Sequence, residues 1–426
     1  LKTEIITIGD ELLIGQVVDT NSAWMGRELN AIGIRVHQIT SVSDDEAHIL
    51  SALREAAGRA KVVLITGGLG PTKDDRTKKT LCGYFGTTLR FDEGVYANIE
   101  RLFRERGREV TPTNRAQAEV PAGCTVLPNP RGTAAGMWFE KDGIIYVSLP
   151  GVPSEMKGLM EQEVLPRLRD RFRLPPVLHR TVLTQGIGES MLSDRLEEWE
   201  NALPSFIRLA YLPAQGMVRL RMTATGDDEA VLRAALQEQE RRLLPLVAEY
   251  VYGFDEETLE EVTGRLLLQE GKTVGTAESC TGGYIAHRIT SVPGSSAYYL
   301  GSLVPYAYEE KEKHLGIPAE LLNTAGAVSE PVVRLMAENA RAFLGVDYAV
   351  ATSGIAGPGG ATAQKPVGTV WIAVSGPGGT VSRLLQLGQG RERVIRETAL
   401  YALDLLRREL QKHAAAGDAR TAVRGE

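Results

Sequence analysis

Glycine gathers at one kind of place in this chain, where an apolar, strand-like run gives way to a helical pattern. Val62-Val63-Leu64-Ile65 leads into Thr66-Gly67-Gly68-Leu69-Gly70-Pro71-Thr72. Lys272-Thr273-Val274-Gly275 leads into Thr276-Ala277-Glu278-Ser279-Cys280-Thr281-Gly282-Gly283, and the helical pattern Tyr284-Ile285-Ala286-His287-Arg288-Ile289 follows. Tyr348-Ala349-Val350-Ala351-Thr352 leads into Ser353-Gly354-Ile355-Ala356-Gly357-Pro358. Glycine permits the left-handed backbone and close approaches that such turns require. Repeated strand–turn–helix units predict α/β domains with parallel or mostly parallel sheets. Sheets of that kind take ligands just outside the carboxyl ends of their strands, where helix N-termini present unpaired N–H groups.

A chain of 426 residues is too long for one core, and two or three domains are expected. The net charge of -6 argues against general nucleic-acid binding, which needs a basic footprint. Cys82, Cys124 and Cys280 are odd in number and far apart, which excludes a disulfide scaffold or a cysteine zinc site and fits a reducing cytoplasm. No apolar run approaches a membrane span and no signal-peptide pattern opens the chain, so a cytoplasmic protein away from the membrane is expected. The first strand begins almost at Leu1, so little more than an initiator residue is expected to be missing.

Strands are predicted at 4–9, 35–39, 62–65 and 144–149, and helices at 21–29, 45–57, 77–84 and 95–106; these define a first domain, 1–168. The charged run 169–176, closed by Pro175-Pro176, reads as a linker. Residues 177–253 read as a small α+β domain, with strands at 181–184 and 218–224 and helices at 190–199 and 230–247. Strand–helix alternation returns over 256–410, and 412–426 reads as a frayed tail.

Three polar clusters lie past strand ends in the first domain. One is Gly9-Asp10-Glu11 with Asp19, Thr20 and Asn21 soon after; another is the Thr66–Thr72 loop followed by Lys73, Asp74, Asp75 and Arg76; the third is Pro150-Gly151-Val152-Pro153-Ser154-Glu155. Each alone reads as a turn, but the shared placement predicts one crevice. Asp74 and Asp75 beside a phosphate loop would repel an anion unless a divalent cation bridged them; the plain alternative is that they cap the next helix. Asp10, Glu11, Asp74, Asp75 and Glu155 are therefore candidate metal ligands or bases. The loop spacing is neither a P-loop nor a dinucleotide fingerprint.

In the last domain, Ser279 stands where a nucleophile would have backbone donors beside it at 280–283; a plain helix cap is the rival reading. A serine nucleophile needs a base. None of the six histidines (His37, His48, His179, His287, His314, His413) lies in a strand-end loop of this domain. A lysine kept neutral by burial can serve instead. Lys311 is flanked by Glu310 and Glu312, which would raise its pKa if they faced it, and on its own the run 309–313 reads as a solvated helix face. Loops at 325–331 and 353–360 suit a flat aromatic amide and a phosphate, and equally suit tight turns. Cys280 reads as packed rather than reactive.

The motifs in the first domain, with Asn129-Pro130-Arg131-Gly132-Thr133-Ala134 and Leu149-Pro150-Gly151-Val152-Pro153, resemble the N-terminal domain of the competence/damage-inducible CinA family. That resemblance implies a molybdopterin-binding-like three-layer α/β fold and hydrolysis of ADP-ribose to AMP and ribose 5-phosphate with a divalent metal (Mg, Co or Mn). It puts substrate contacts on Asp10, Asn21, Thr66, Gly67, Gly68, Gly70, Thr72, Asp75, Pro150, Gly151 and Pro153. Residues 177–253 resemble the family's small KH-like domain, but Gly186-Ile187-Gly188 does not supply the Gly-x-x-Gly clamp, so RNA binding is not expected. Residues 256–410 resemble the family's C-terminal nicotinamide-nucleotide amidohydrolase domain through the 276–283 motif, Gly326-Ala327-Val328-Ser329-Glu330-Pro331, the 353–358 loop and Lys365-Pro366-Val367-Gly368-Thr369-Val370. This implies deamidation of nicotinamide mononucleotide to nicotinate mononucleotide and ammonia, without a cofactor. The nucleophile falls on Ser279, the lysine on Lys311 and the tyrosine on Tyr306. Substrate contacts fall on Cys280, Thr281, Gly282, Gly283, Ser329, Ser353, Gly354, Ala356 and Gly357. The family reads Tyr-Ser-Asn where this chain has Tyr306-Ala307-Tyr308, preceded by Pro305, which bears on how Lys311 is placed. Small-molecule pyridine and adenine nucleotides and a homodimer are the implied partners. The rival is a non-catalytic adaptor that binds a pterin or nucleotide.

Overall fold

In the computed structural model residues 1–72, 76–214 and 216–423 are described, with side chains as far as 414. The chain divides into two compact units. The first is Leu1–Leu178 with Thr225–Leu232; the second takes His179–Ala224 and the chain from Arg233 onward.

The first unit carries β1 (Lys2–Ile8), β2 (Arg35–Val42), β3 (Val62–Thr66), a small antiparallel pair β4 (Leu89–Phe91) and β5 (Glu119–Pro121), then β6 (Thr125–Leu127), β7 (Gly136–Lys141) and β8 (Ile144–Leu149). Its main sheet has the order β2-β1-β3-β8-β7-β6. The first four strands are parallel, and β7 and β6 are added antiparallel. Because side chains alternate across a strand, Ile6, Val63, Ile65 and Tyr146 pack on one face with Leu53 and Ile99. Ile5, Leu64 and Val147 pack on the other with Met25, Leu29 and Leu168. Apolar residues on both faces make these strands read as continuous hydrophobic runs, and helices cover both sides in three layers.

The expected linker begins too early. A helix, Leu165–Phe172, continues through its first half. Leu168 is fully buried, and Leu165 and Phe172 pack on the same core. The charges at Arg169 and Arg171 are simply its exposed face.

In the second unit β9 (Val177–Gln185), β10 (Ile207–Ala214), β11 (Met217–Thr225) and β12 (Val251–Phe254) form a sheet ordered β10-β11-β9-β12. The predicted alternation appears in β11, where Val218, Leu220, Met222 and Ala224 are buried. The larger sheet contains β13 (Val274–Glu278), β14 (Tyr299–Leu303), β15 (Tyr348–Gly354), β16 (Thr369–Gly376) and β17 (Gly379–Gln386), in the order β14-β13-β15-β16-β17. β14, β13 and β15 are parallel; β16 and β17 continue antiparallel. Ala277, Ala349, Ala351 and Ala373 receive the helix Glu330–Leu344 on one face, where small side chains allow close approach. Val274, Val350, Ile372 and Val374 pack against Leu259, Leu267, Leu403 and Leu406 on the other. The last helix, Arg391–Val423, runs through most of the stretch read as a frayed tail.

Both units share a topological device. In the first, β1 is followed by β2 on one side and β3 on the other; in the second, β13 is followed by β14 on one side and β15 on the other. The crevice where the chain changes direction lies at the carboxyl ends of β1 and β3, and of β13 and β15.

Candidate active sites at two switch points

At the first switch point, Gly67 follows β3 with φ 112, and a Cβ there would lie 2.1 Å from the Ile8 carbonyl oxygen of β1. Only glycine fits so close to that strand end. Thr66 Oγ1 donates to the Pro150 carbonyl at 2.8 Å. Asn21 Nδ2 donates to the Gly151 carbonyl at 2.7 Å and to Thr66 Oγ1 at 3.3 Å, while its buried Oδ1 has no partner. The predicted contacts Asn21, Thr66, Gly67, Pro150 and Gly151 are thus drawn together. Pro153 opens the helix Pro153–Leu159 in its first turn, where a missing N–H costs nothing. Gly70 and Thr72 lie along a cleft of about 720 Å³ with Arg76, Lys78, Lys79 and Gln117.

The carboxylates are distributed differently from expectation. Asp10 and Glu11 open the short helix Asp10–Leu13. Asp44, not singled out in the sequence, accepts from the Asp10 amide at 3.3 Å, and its other oxygen lies 3.4 Å from where a Cβ on Gly68 would be. It lies two residues past β2, a strand-end position that its neighbour obscured: Asp45 is the helix cap, accepting from His48 N at 3.1 Å. Glu155 turns to the 129–134 motif instead. It accepts from Asn129 Nδ2 at 2.7 Å and packs where a side chain on Gly132 would sit, and burial raises its pKa. Asp74 and Asp75 lie outside the described residues. Among the described residues no three His, Cys, Asp or Glu side chains gather as a metal site. Asp10 and Asp44 bring two carboxylate-bearing residues to one corner.

At the second switch point, Ser279 is the first residue after β13 and its amide donates to the Thr352 carbonyl of β15 at 3.0 Å. Lys311 lies on the helix Tyr308–Leu315 and is 1% exposed, against the solvated face its neighbours suggested. Glu309, Glu310 and Glu312 point outward while Lys311 and Leu315, one turn apart, turn inward. Lys311 Nζ donates to Ser279 Oγ at 3.1 Å, to the Pro305 carbonyl at 2.7 Å and to the Tyr306 carbonyl at 2.9 Å. Burial lowers its pKa to about 8. The glutamates that would have raised it do not face it. Because the lysine is gripped by carbonyls, the unusual Pro305 costs it nothing. Tyr306 serves through its main chain, and its side chain is 60% exposed with its hydroxyl accepting from Arg391 Nη2 at 3.1 Å. The departure at 308 has its own use, since Tyr308 Oη accepts from the Ala327 amide at 3.2 Å.

The backbone donors at 280–283 are already partly committed. Glu278, wholly buried, accepts from the amides of Gly283 (3.1 Å), Ile285 (3.0 Å) and Ala286 (2.8 Å), and Gly282 N donates to the Ser279 carbonyl at 3.2 Å. Among the described residues the Cys280 and Thr281 amides have no main-chain partner, which makes them the candidates for an oxyanion, with the Cys280 amide also lying against its own thiol. Thr281 Oγ1 is held by Thr352 Oγ1 at 2.8 Å. The Cys280 thiol is buried and pushed up to about 12 by that burial, so it stays protonated near neutrality.

The other predicted contacts are engaged in packing and in loop hydrogen bonds. Ser353 Oγ donates to the Ala327 carbonyl (2.8 Å) and Ser329 Oγ to the Gly326 carbonyl (2.7 Å), fixing one loop. A Cβ on Gly354 would meet Val370 at 2.5 Å, one on Gly357 would meet Val367 at 2.7 Å, and Ala356 is part of the core.

A buried serine–lysine pair at an α/β switch point, with the Cys280 and Thr281 amides next in the chain, is a constellation suited to acyl transfer. Sequence relationships define the class. Residues 4–170 match the family described as a probable molybdopterin binding domain, 179–253 the damage-inducible protein CinA KH domain, and 256–410 the CinA C-terminal domain. A CinA-like protein of Cytophaga hutchinsonii is 50% identical over 412 residues, covering 97% of this chain and 99% of its own. A putative competence-damage inducible protein of Symbiobacterium thermophilum is 41% identical over 419 residues, covering 96% of this chain and 98% of its own. The crystal structure of the protein CinA, of unknown function, from Thermoplasma acidophilum is 36% identical, with TM-score 0.36, covering 39% of this chain and 96% of its own. This chain belongs to the CinA family, with its three-domain architecture of molybdopterin-binding-like, KH-like and CinA C-terminal domains. Among the described residues no helix is long and apolar enough to cross a membrane.

Proposed function

We propose that the C-terminal domain is a serine amidohydrolase acting on nicotinamide mononucleotide, and that the N-terminal domain hydrolyses ADP-ribose. The observation that carries the first half is the environment of Lys311. A neutral lysine has two N–H donors and one lone pair. Two carbonyls take the donors, and the lone pair is left facing Ser279 Oγ. Ser279 Oγ attacks the carboxamide carbon as Lys311 takes its proton. The oxyanion is received by the Cys280 and Thr281 amides. The C–N bond breaks, Lys311 returns its proton to the leaving nitrogen, and ammonia departs. A water, deprotonated by Lys311, then cleaves the acyl ester to nicotinate mononucleotide and restores Ser279.

In the N-terminal domain the Gly67 amide donates to the Leu149 carbonyl at 3.1 Å, so the Gly68 amide beside it would receive a phosphate, and Asn21 Oδ1 offers an acceptor for a ribose hydroxyl. Asp10 and Asp44, with Asp74 and Asp75 of the segment after Thr72, would hold a divalent cation, which when bound offsets the diphosphate charge and polarises a phosphoryl oxygen.

Ser279→Ala is the test that separates an enzyme from a binding protein. Ammonia release from nicotinamide mononucleotide should fall by at least about a thousandfold while the circular dichroism spectrum is kept. Undiminished release would remove the serine from the mechanism.

A further inference from the structure

Glu155 follows the Pro150–Pro153 turn at once in sequence, yet two contacts direct its carboxylate to the loop 129–134. Oε2 accepts from Asn129 Nδ2 at 2.7 Å. A Cβ on Gly132 would lie 2.0 Å from the carboxyl carbon, so only a residue without a side chain leaves the carboxylate its seat. The main chain of Glu155 closes the turn itself: its amide donates to the Val152 carbonyl at 3.1 Å, and the Met156 amide joins it at 3.0 Å.

The loop that receives Glu155 is held in its own right. Asn129 is buried; its Nδ2 also donates to the Ala134 carbonyl at 2.8 Å, and its Oδ1 accepts from the Arg131 amide at 3.1 Å. Asn98 Nδ2 donates to the carbonyls of Asn129 at 2.8 Å and Gly132 at 3.1 Å. Arg131 Nη1 donates to the Ser154 carbonyl at 3.1 Å, its side chain lying across Gly158, where a Cβ would come within 3.0 Å of it. The loop thus grips the chain at 154 by a carbonyl and at 155 by a carboxylate. On the other side of the same turn, the Pro150 and Gly151 carbonyls take Thr66 Oγ1 and Asn21 Nδ2. A turn fastened on both sides, once by a half-buried charge-assisted bond, keeps its carbonyls in one place.

We infer that Glu155 is a positioning residue of the first switch point. Tied to Asn129 and seated on Gly132, it fixes the 150–153 turn, and through that turn Thr66 and Asn21, against the diphosphate of the nucleotide. It neither ligates the metal nor moves a proton. This rests on the ADP-ribose reading above.

Glu155→Gln, Glu155→Ala and Gly132→Ala are compared with the wild type in AMP formation from ADP-ribose. Glutamine keeps an oxygen for Asn129 but lacks the charge that a metal ligand or general base needs. Glu155→Gln should therefore hold kcat within about threefold of wild type, whereas Glu155→Ala should lose on the order of ten- to a hundredfold in kcat, with KM changed far less. Gly132→Ala should follow Glu155→Ala, because the added methyl evicts a carboxylate that is still in the chain. A loss in Glu155→Gln as large as in Glu155→Ala would overturn the inference in favour of a ligand or base, and full activity in Glu155→Ala would also overturn it. Hydrogen exchange gives a readout independent of turnover: the amides at 155 and 156 should exchange faster in Glu155→Ala and Gly132→Ala than in wild type and Glu155→Gln. If the wild type forms no AMP, the ADP-ribose reading fails; equal exchange in all four proteins would then reject the positioning role too.

Discussion

A lysine carries three protons when charged and two when neutral, and that count decides what Lys311 can do. Charged, it satisfies two carbonyls and Ser279 Oγ and is no base. Neutral, it keeps both carbonyls and points a lone pair at the serine. With a pKa lowered by burial to about 8, roughly a tenth of the population is neutral at pH 7. Deamidation should therefore rise with pH and reach half its plateau near pH 8; a rate already flat from pH 6 would contradict the assignment. Stability follows the same proton. Below about pH 8 the lysine is charged in both folded and unfolded chains, and burying it costs the fold roughly 3 kcal/mol. Between about 8 and the ordinary 10.5 the unfolded chain holds more protons, so stability rises with pH. Lys311→Met should abolish ammonia release yet melt no lower than wild type at pH 7, and that margin should shrink toward pH 10. Sequence alone hid this residue because four charged neighbours crowd it. Leu315, one turn on and buried, was the legible clue to an inward face. Only the family resemblance selected it.

At the level of elements, the strand–turn–helix joints were legible because the conformations they need are nearly exclusive to glycine. Gly282 and Gly283 have φ 59 and 95, and Gly67 and Gly68 have φ 112 and 63. The antiparallel strands were not, since hairpins replace helices there. Between β7 and β8 the turn is Asp142-Gly143, with φ 54 and 73, a readable hairpin signal that alternating helices had overshadowed. Glu278 was also missed: a carboxylate closing a buried strand gives no periodic sign of its role. It caps the helix Tyr284–Thr290 from the strand side, accepting from three amides at the start of that helix. Glu278→Gln should destabilise the fold by about 1.5–3 kcal/mol, read from the denaturant midpoint, and slow deamidation by loosening Ser279 beside it. A midpoint equal to wild type would show that the carboxylate is not what holds the turn.

Across the whole molecule, the stretches before 170, between 170 and 255, and after 255 each carry their own hydrophobic pattern, so the sequence reads as three domains where the contacts form two compact units without a division near 255. The exact linker escaped, since a helix whose outer face is arginine resembles a charged tether. The two compact units have separate cores and separate switch points, so their chemistries should be separable in the intact chain. Ser279→Ala should stop ammonia release and leave AMP formation from ADP-ribose untouched. Chelation of divalent ions should do the reverse, and metal-independent AMP formation would remove the argument for paired carboxylates in the first unit.

Lys311 is held by the peptide groups of 305 and 306 rather than by any side chain there. Every amino acid brings the same carbonyl. For the grip on Lys311 the side chains at 305 and 306 could therefore differ without loss, whereas Tyr306 and Tyr308 keep separate ties to Arg391 and Ala327. A genealogy should therefore weigh the lysine, and the bend of the chain beneath it, above the letter at 305.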